Sequence, residues 1–381
     1  MKIAILSLVL HQNYGGILQS YALQTVLERM GHTVEVLNRP LVYPSTNWKE
    51  VPKRIVKKIL GRDEVIFKEA RYKREAATLN KAVWDFRKQY IHERIINDFC
   101  EIKESDYDCI VVGSDQVWRP RYFKEQWACG IENAYLSFTK GWSIKRIAYA
   151  ASFGVDEWEY TEEETRLCKE AAKMFDVITV REDSGINLVK DHLRLEATQA
   201  LDPTMLLEKE DYIKLIEAAN TPISKGTLLN YVLNPSKEKK AFIERVAKER
   251  HLIPFSVNNA LVKKTSPTED RILPPLESWL RGFHDAKFVI TDSFHACVFS
   301  ILFDKPFVAI GNKDRGLSRF KNLLGKHKLE DNLMVDMKEY KHNKDYKSTC
   351  CYGGLLESRK QSFRCIINCL SNEYNRSLVN A

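Results

Sequence analysis

Residues 2–38, KIAILSLVLHQNYGGILQSYALQTVLERMGHTVEVLN, decide the fold. The apolar opening run reads as a strand buried on both faces, because it lacks the polar alternation of a half-exposed one. After NYGG, residues Ile17, Tyr21, Leu23, Val26, Leu27 and Met30 recur at helical spacing, and Gly31 is a natural stop. HTVEVLN then reads as a second strand. Strand, helix, strand across so short a stretch is a βαβ unit, whose right-handed crossover implies a parallel sheet. Two of the chain's 16 glycines, Gly15 and Gly16, stand side by side at the first junction. Such a pair lets the chain turn tightly and presents helix amides to an anion such as phosphate. It is neither G-x-G-x-x-G nor a Walker loop, so a purely structural turn fits as well. Asn13, Tyr14 and Gln19 add polar groups beside it.

The same rhythm returns in YDCIVVGSD (107–115), RIAYAASFG (146–154) and FDVITVRED (175–183), each an apolar run ending in polar residues. Ligands of open parallel sheets sit beyond the carboxyl ends of strands, so Ser114, Asp115, Ser152, Arg181 and Glu182 become candidates by position. LDPTMLL (201–207) closes this series. A second one follows in GTLLNYVLN, KEKKAFIERVAKERH, KFVITDSFHACVFSILFD and KPFVAIG. The expected architecture is α/β, with two Rossmann-like domains facing a central cleft: 1–200, with a basic helical insertion at about 49–99, and 201–381, ending in a C-terminal helix. In the insertion, Ile55, Val56, Ile59 and Leu60 form a narrow apolar stripe, which suits either a solvated helix or a basic amphipathic surface for lipid-linked acceptors. In the second domain Asp292, Ser293 and His295 stand at a strand-to-helix turn, and Lys313, Arg315 and Arg319 follow the next strand. Arginine forks there match carboxylate or phosphate.

A chain of 381 residues that is 44% hydrophobic and 29% charged is neither disordered nor of low complexity. The formal net charge of +8 implies attraction to anions. No arginine-rich tract, zinc finger or aromatic RNA-binding signature points to nucleic acid. The opening run is too short to span a membrane and lacks a cleavage site, so a cytoplasmic protein is expected, with peripheral contact at the inner, anionic face of the membrane. The nine cysteines lack the spacing of a secreted framework. Cys350, Cys351, Cys365 and Cys369 crowd the tail without C-x-x-C or finger-spaced histidine, and no metal site is expected.

NYGGILQSYALQ, VVGSDQVW, ASFG, VREDSG, LDPTMLL and ITDSFHACVFSILFDKPFVAI, in that order, resemble the polysaccharide pyruvyl transferase family. The resemblance implies a GT-B-like fold. It also implies transfer of the enolpyruvyl group of phosphoenolpyruvate onto paired hydroxyls of a sugar, giving a pyruvate ketal in cell-surface polysaccharide synthesis. By that resemblance His295, with Asp292 beside it, does the acid/base work, and Arg181 binds the donor. At Ser293 several branches of the family carry arginine instead, and Arg315 or Arg319 could fill that vacancy. Asn13, Tyr14, Gly15, Gly16, Gln19, Ser114 and Asp115 are then expected along the acceptor wall. The implied partners are phosphoenolpyruvate as co-substrate and a lipid-linked or nucleotide-linked sugar, with no cofactor or metal. A GT-B glycosyltransferase using a nucleotide sugar fits the same architecture, and so does a non-catalytic sugar-binding or scaffold subunit.

Overall fold

In a computed structural model of the chain, which describes residues 1–260, 262–311, 317–346 and 352–370, strand β1 (Lys2–Leu6) buries all but its first side chain. It lies within a parallel sheet with β2 (Thr33–Asn38), β3 (Glu93–Ile95), β4 (Cys109–Val112), β5 (Lys145–Ala151), β6 (Val177–Val180) and β7 (Thr198–Gln199). The strand order is β3-β2-β1-β4-β5-β6-β7. A second parallel sheet holds β8 (Leu228–Tyr231), β9 (Pro254–Phe255), β10 (Phe288–Thr291), β11 (Phe307–Ile310) and β12 (Leu333–Met334), in the order β12-β11-β10-β8-β9. The central strands are uniformly apolar because helices cover both faces. Chain direction across each sheet reverses once, between β1 and β4 in the first and between β8 and β10 in the second. Those two switch points are where an open α/β sheet leaves a crevice.

The two units share a core. One apolar cluster runs from Ile3, Ile5 and the helix Tyr14–Arg29 to Trp279, Phe283 and Phe299 of the second unit. At the seam the Tyr14 ring meets Trp279 edge-on, with centroids 6.2 Å apart, and its hydroxyl donates to the Pro274 carbonyl at 2.5 Å. Arg29 adds a two-pronged bond to Asp211 at 3.0 and 2.7 Å.

The segment 49–99 departs from the expected insertion. Its long helix, Lys68–Tyr90, is the crossover between β2 and β3, and buries Ala76, Leu79, Val83 and Phe86. Its apolar face is one residue wide among many lysines and arginines, and β3 is only three residues long, which hides both in a window average. The C-terminal helix Tyr352–Leu370 lies back on the first unit. Lys145 Nζ of β5 donates to the Leu370 carbonyl at 2.9 Å, and on the connecting segment 201–207 Arg359 donates to the carbonyls of Met205 and Leu207 at 2.5 and 2.9 Å while Ser362 Oγ accepts from Leu201 N at 3.2 Å. No helix among the described residues is long and apolar enough to cross a membrane. Cys350, Cys351 and the Cys369 side chain lie outside the described residues.

Because the Tyr14 hydroxyl is buried and bonded across the seam, Tyr14→Phe leaves the Pro274 carbonyl unanswered. The expected loss is about 1 kcal/mol of stability, read as a lower urea midpoint with an unchanged secondary-structure spectrum.

Candidate functional site

The two switch points open on one cleft of about 220 Å³, with Asn13, Asp115 and Arg119 on the first unit's side and Asp292, His295 and Arg319 on the second's. His295 occupies the first turn of the helix Phe294–Leu302, directly after β10. Gly15 lies in the first turn of Tyr14–Arg29, so the glycine pair opens the helix and does not form a loop before it. A Cβ on Gly15 would overlap Nδ1 and Cγ of His295. This glycine is therefore required by the close approach of an imidazole from the other unit, not by an unusual backbone angle. At Gly16 a Cβ would come within 3.2 Å of Asn13 Nδ2 and 3.6 Å of Asp115 Oδ2, a tight fit at the cleft wall.

Beneath His295 lies a buried charge cluster built from successive strand ends. Arg181, just after β6, donates to Glu182 at 2.9 Å, to Asp202 at 2.9 Å and to Ser152 Oγ at 3.2 Å, and stands 3.8 Å from Asp115. Asp202 Oδ2 also accepts from Ser114 Oγ at 3.3 Å and faces His295 Nε2 at 3.7 Å, an electrostatic contact too long for a hydrogen bond. Burial pushes the Asp202 pKa up, but His295, Arg181 and Thr204 outweigh it and hold the carboxyl well below its usual range. For Arg181, burial opposes the charge while Glu182, Asp202 and Asp115 more than restore it, so its pKa is raised. Asp115 adopts a left-handed backbone (φ 59°), and its carboxylate accepts from Asn13 Nδ2 at 3.3 Å. A non-glycine residue in that region is uncommon, and such strain concentrates at functional sites.

Arg319, in the helix Leu317–Lys326, lines the cleft and lies against the Phe294 ring at 5.8 Å; Arg181 lies against the same ring at 4.4 Å. Burial first, and then the Arg181 charge, lower the Arg319 pKa. A buried cation depressed by a second cation favours an anionic ligand.

Several expected site residues have other occupations. Tyr14 is the interunit clasp, and burial raises its pKa. Gln19 faces the sheet, donating to Ser7 and Ser20 hydroxyls at 2.8 and 2.7 Å, and does not reach the cleft. Ser114 is wholly buried under Asp202. Arg181 sits below the cleft with its guanidinium turned to carboxylates. Asp292 lines the cleft, but its oxygens already accept from the Leu233 and Asn234 amides at 2.6 and 3.1 Å and from Lys239 Nζ at 2.7 Å. It thus shapes the loop after β8. Ser293 caps the Phe294–Leu302 helix, its Oγ accepting from Ala296 N at 3.5 Å, which is the work serine does well at that position. Arg315, like Lys313, lies outside the described residues.

Sequence reasoning missed Asp202 and Lys239 as site residues, and Arg119, which Glu159 holds at 2.9 Å through two nitrogens beside the cleft. Asp202 sat in the quoted LDPTMLL, three residues past β7, where the strand-end rule would have found it. Among the described residues no group of three or more His, Cys, Asp or Glu is placed to hold a metal ion.

Two measurements test this geometry without any substrate. Gly15→Ala should cost about 1–3 kcal/mol by forcing His295 aside, whereas in a His295→Ala background it should be neutral or stabilising, since alanine suits a helix better than glycine. Equal effects in both backgrounds would break the proposed contact. Asp202, with a folded pKa below its ordinary 3.8, contributes stability that is present above that value and lost as pH falls beneath it. An acid titration of unfolding should therefore steepen below about pH 4, and Asp202→Asn should flatten that limb while lowering stability at neutral pH.

Among solved structures the chain is similar to UDP-GlcNAc 2-epimerase from Neisseria meningitidis bound to UDP-GlcNAc, at 11% identity and TM-score 0.45, covering 98% of this chain and 96% of that one. It is similar to the Methanocaldococcus jannaschii UDP-GlcNAc 2-epimerase in complex with UDP-GlcNAc and UDP at 12% identity and TM-score 0.47, covering 96% and 99%. Arabidopsis thaliana UGT89C1 complexed with UDP-L-rhamnose gives 11% identity and TM-score 0.45 over 99% and 97%. No curated protein matches in sequence. The family model for polysaccharide pyruvyl transferase matches residues 13–314, a span that runs from Asn13 on one wall of the cleft past His295 on the other, and the chain belongs to that family.

Proposed function

We propose that the protein transfers the enolpyruvyl group of phosphoenolpyruvate to two hydroxyls of one sugar, closing a cyclic pyruvate ketal and releasing inorganic phosphate. The observation that carries this reading is the His295 imidazole, set between Gly15 and the Asp202 carboxylate at the edge of a cleft that also holds Arg319, in a chain of this family. The reaction forms two C–O bonds at C2 of the donor and breaks the bond to phosphate. Of the two hydroxyl protons, one ends on the methylene carbon, making it a methyl, and the other leaves with phosphate. A single group that takes one proton and returns one suffices, and an imidazole is able to do both. With Nε2 turned to Asp202, Nδ1 is the nitrogen for the substrate. Arg319 neutralises the donor, and Asn13 with Asp115 receives the acceptor hydroxyls. Arg181 acts at one remove, holding Asp202 in place. The acceptor is a sugar carried on a lipid or a nucleotide during polysaccharide assembly, and the reaction requires no metal.

Phosphate release is expected from phosphoenolpyruvate only when a suitable lipid-linked or nucleotide-linked sugar is present, and it should survive a chelator. His295→Ala should lower turnover by about a hundredfold or more, while Arg319→Ala should weaken donor binding by more than tenfold, the scale of about 2–5 kcal/mol for a buried charge left unpaired. Nucleoside diphosphate appearing in place of phosphate would assign glycosyl transfer instead. Silence across a broad panel would favour a binding subunit.

A further inference from the structure

The helix Val51–Ile59 is mounted with its polar anchor inward. Val51 and Arg54 face the protein, and Arg54 is locked there by two bonds of 2.7 Å to Glu69 and one of 3.0 Å to the Ile66 carbonyl. The apolar arc faces out: Ile59 is 79% and Leu60 66% exposed, with Ile55 and Val56 on the same side. At the segment's start Trp48, 71% exposed, packs edge-on against an exposed Phe67 at 6.1 Å. The mount is firm, because Asp63 accepts from the Lys264 and Thr265 amides of the second unit at 2.7 and 3.0 Å. Lys53 and Lys57 flank one edge of the arc and Lys58 the other, with Lys49 and Arg62 at the ends; residues 48–68 carry seven lysines and arginines against three acids.

From this inverted face we propose that the segment 48–67 docks the protein on an anionic lipid bilayer, the apolar arc entering the headgroup boundary and the lysine rim meeting lipid phosphates. Exposed aliphatics on one side of a helix, aromatics at its edge and cations on both flanks are what an interfacial helix needs. A second copy of the chain is a poor occupant, since a two-fold contact would press two basic rims together. Free phosphate would leave the aliphatic arc unused. The surface goes beyond the proposed reaction, and vesicle binding involves no turnover, so its failure would leave that reaction standing.

The test is cosedimentation of the full chain with vesicles of phosphatidylcholine plus phosphatidylglycerol, against pure phosphatidylcholine. The protein should pellet with the anionic vesicles, stay in solution with the neutral ones, and be partly released by salt. Ile59→Ser/Leu60→Ser and, separately, Lys53→Glu/Lys58→Glu should each weaken binding roughly tenfold or more without moving the unfolding temperature, because all four side chains are exposed. A wild-type chain that ignores anionic vesicles overturns the proposal. So do variants that bind as well as wild type, or a vesicle-independent dimer that the serine variant dissociates.

Discussion

A single buried guanidinium makes the cleft floor feasible. Three carboxylates, Asp115, Glu182 and Asp202, arrive at one point from the ends of β4, β6 and β7, and burying so many like charges together is costly unless a cation stands among them. Arg181 answers Glu182 and Asp202 through separate nitrogens of one planar fork and turns its face to Phe294. A lysine, a point charge on a flexible stem, could not hold that set in register. Asp202 is fixed by this arrangement, and His295 is placed against Asp202 from the other unit. The imidazole proposed to carry the protons thus depends on a charge that never needs to touch a substrate.

The sheets were legible because parallel strands buried on both faces announce themselves as unbroken apolar runs, and the strand-end rule then led to Asp115, Arg181 and His295. What could not be read was which end meets which. That depends on strand order: Asp202 reaches Arg181 only because β7 is the neighbour of β6. Gln19 was misplaced although the pattern held a warning, for it stands four residues before Leu23 and eight before Leu27, on the buried side of the helix. The glycine pair was read as conformational licence, whereas the structure needs the missing Cβ at Gly15 for a partner 280 residues away. No local window contains that reason.

Ser293 shows how one position can serve two different demands. An arginine there would add a charge to the cleft, while serine closes the amino end of a nine-residue helix whose side chains are all buried. The positive charge enters instead from Arg319, in the next α-helix along the chain, which shares the Phe294 ring with Arg181.

The last helix returns to the first unit, where Arg359 and Ser362 grip the segment 201–207 from which the chain had set out toward β8. The second sheet is thereby tied down both where the chain enters it and where the chain returns from it. Fastened at both ends of its chain and sharing a core with the first unit, the second sheet keeps its imidazole over the bare backbone of Gly15.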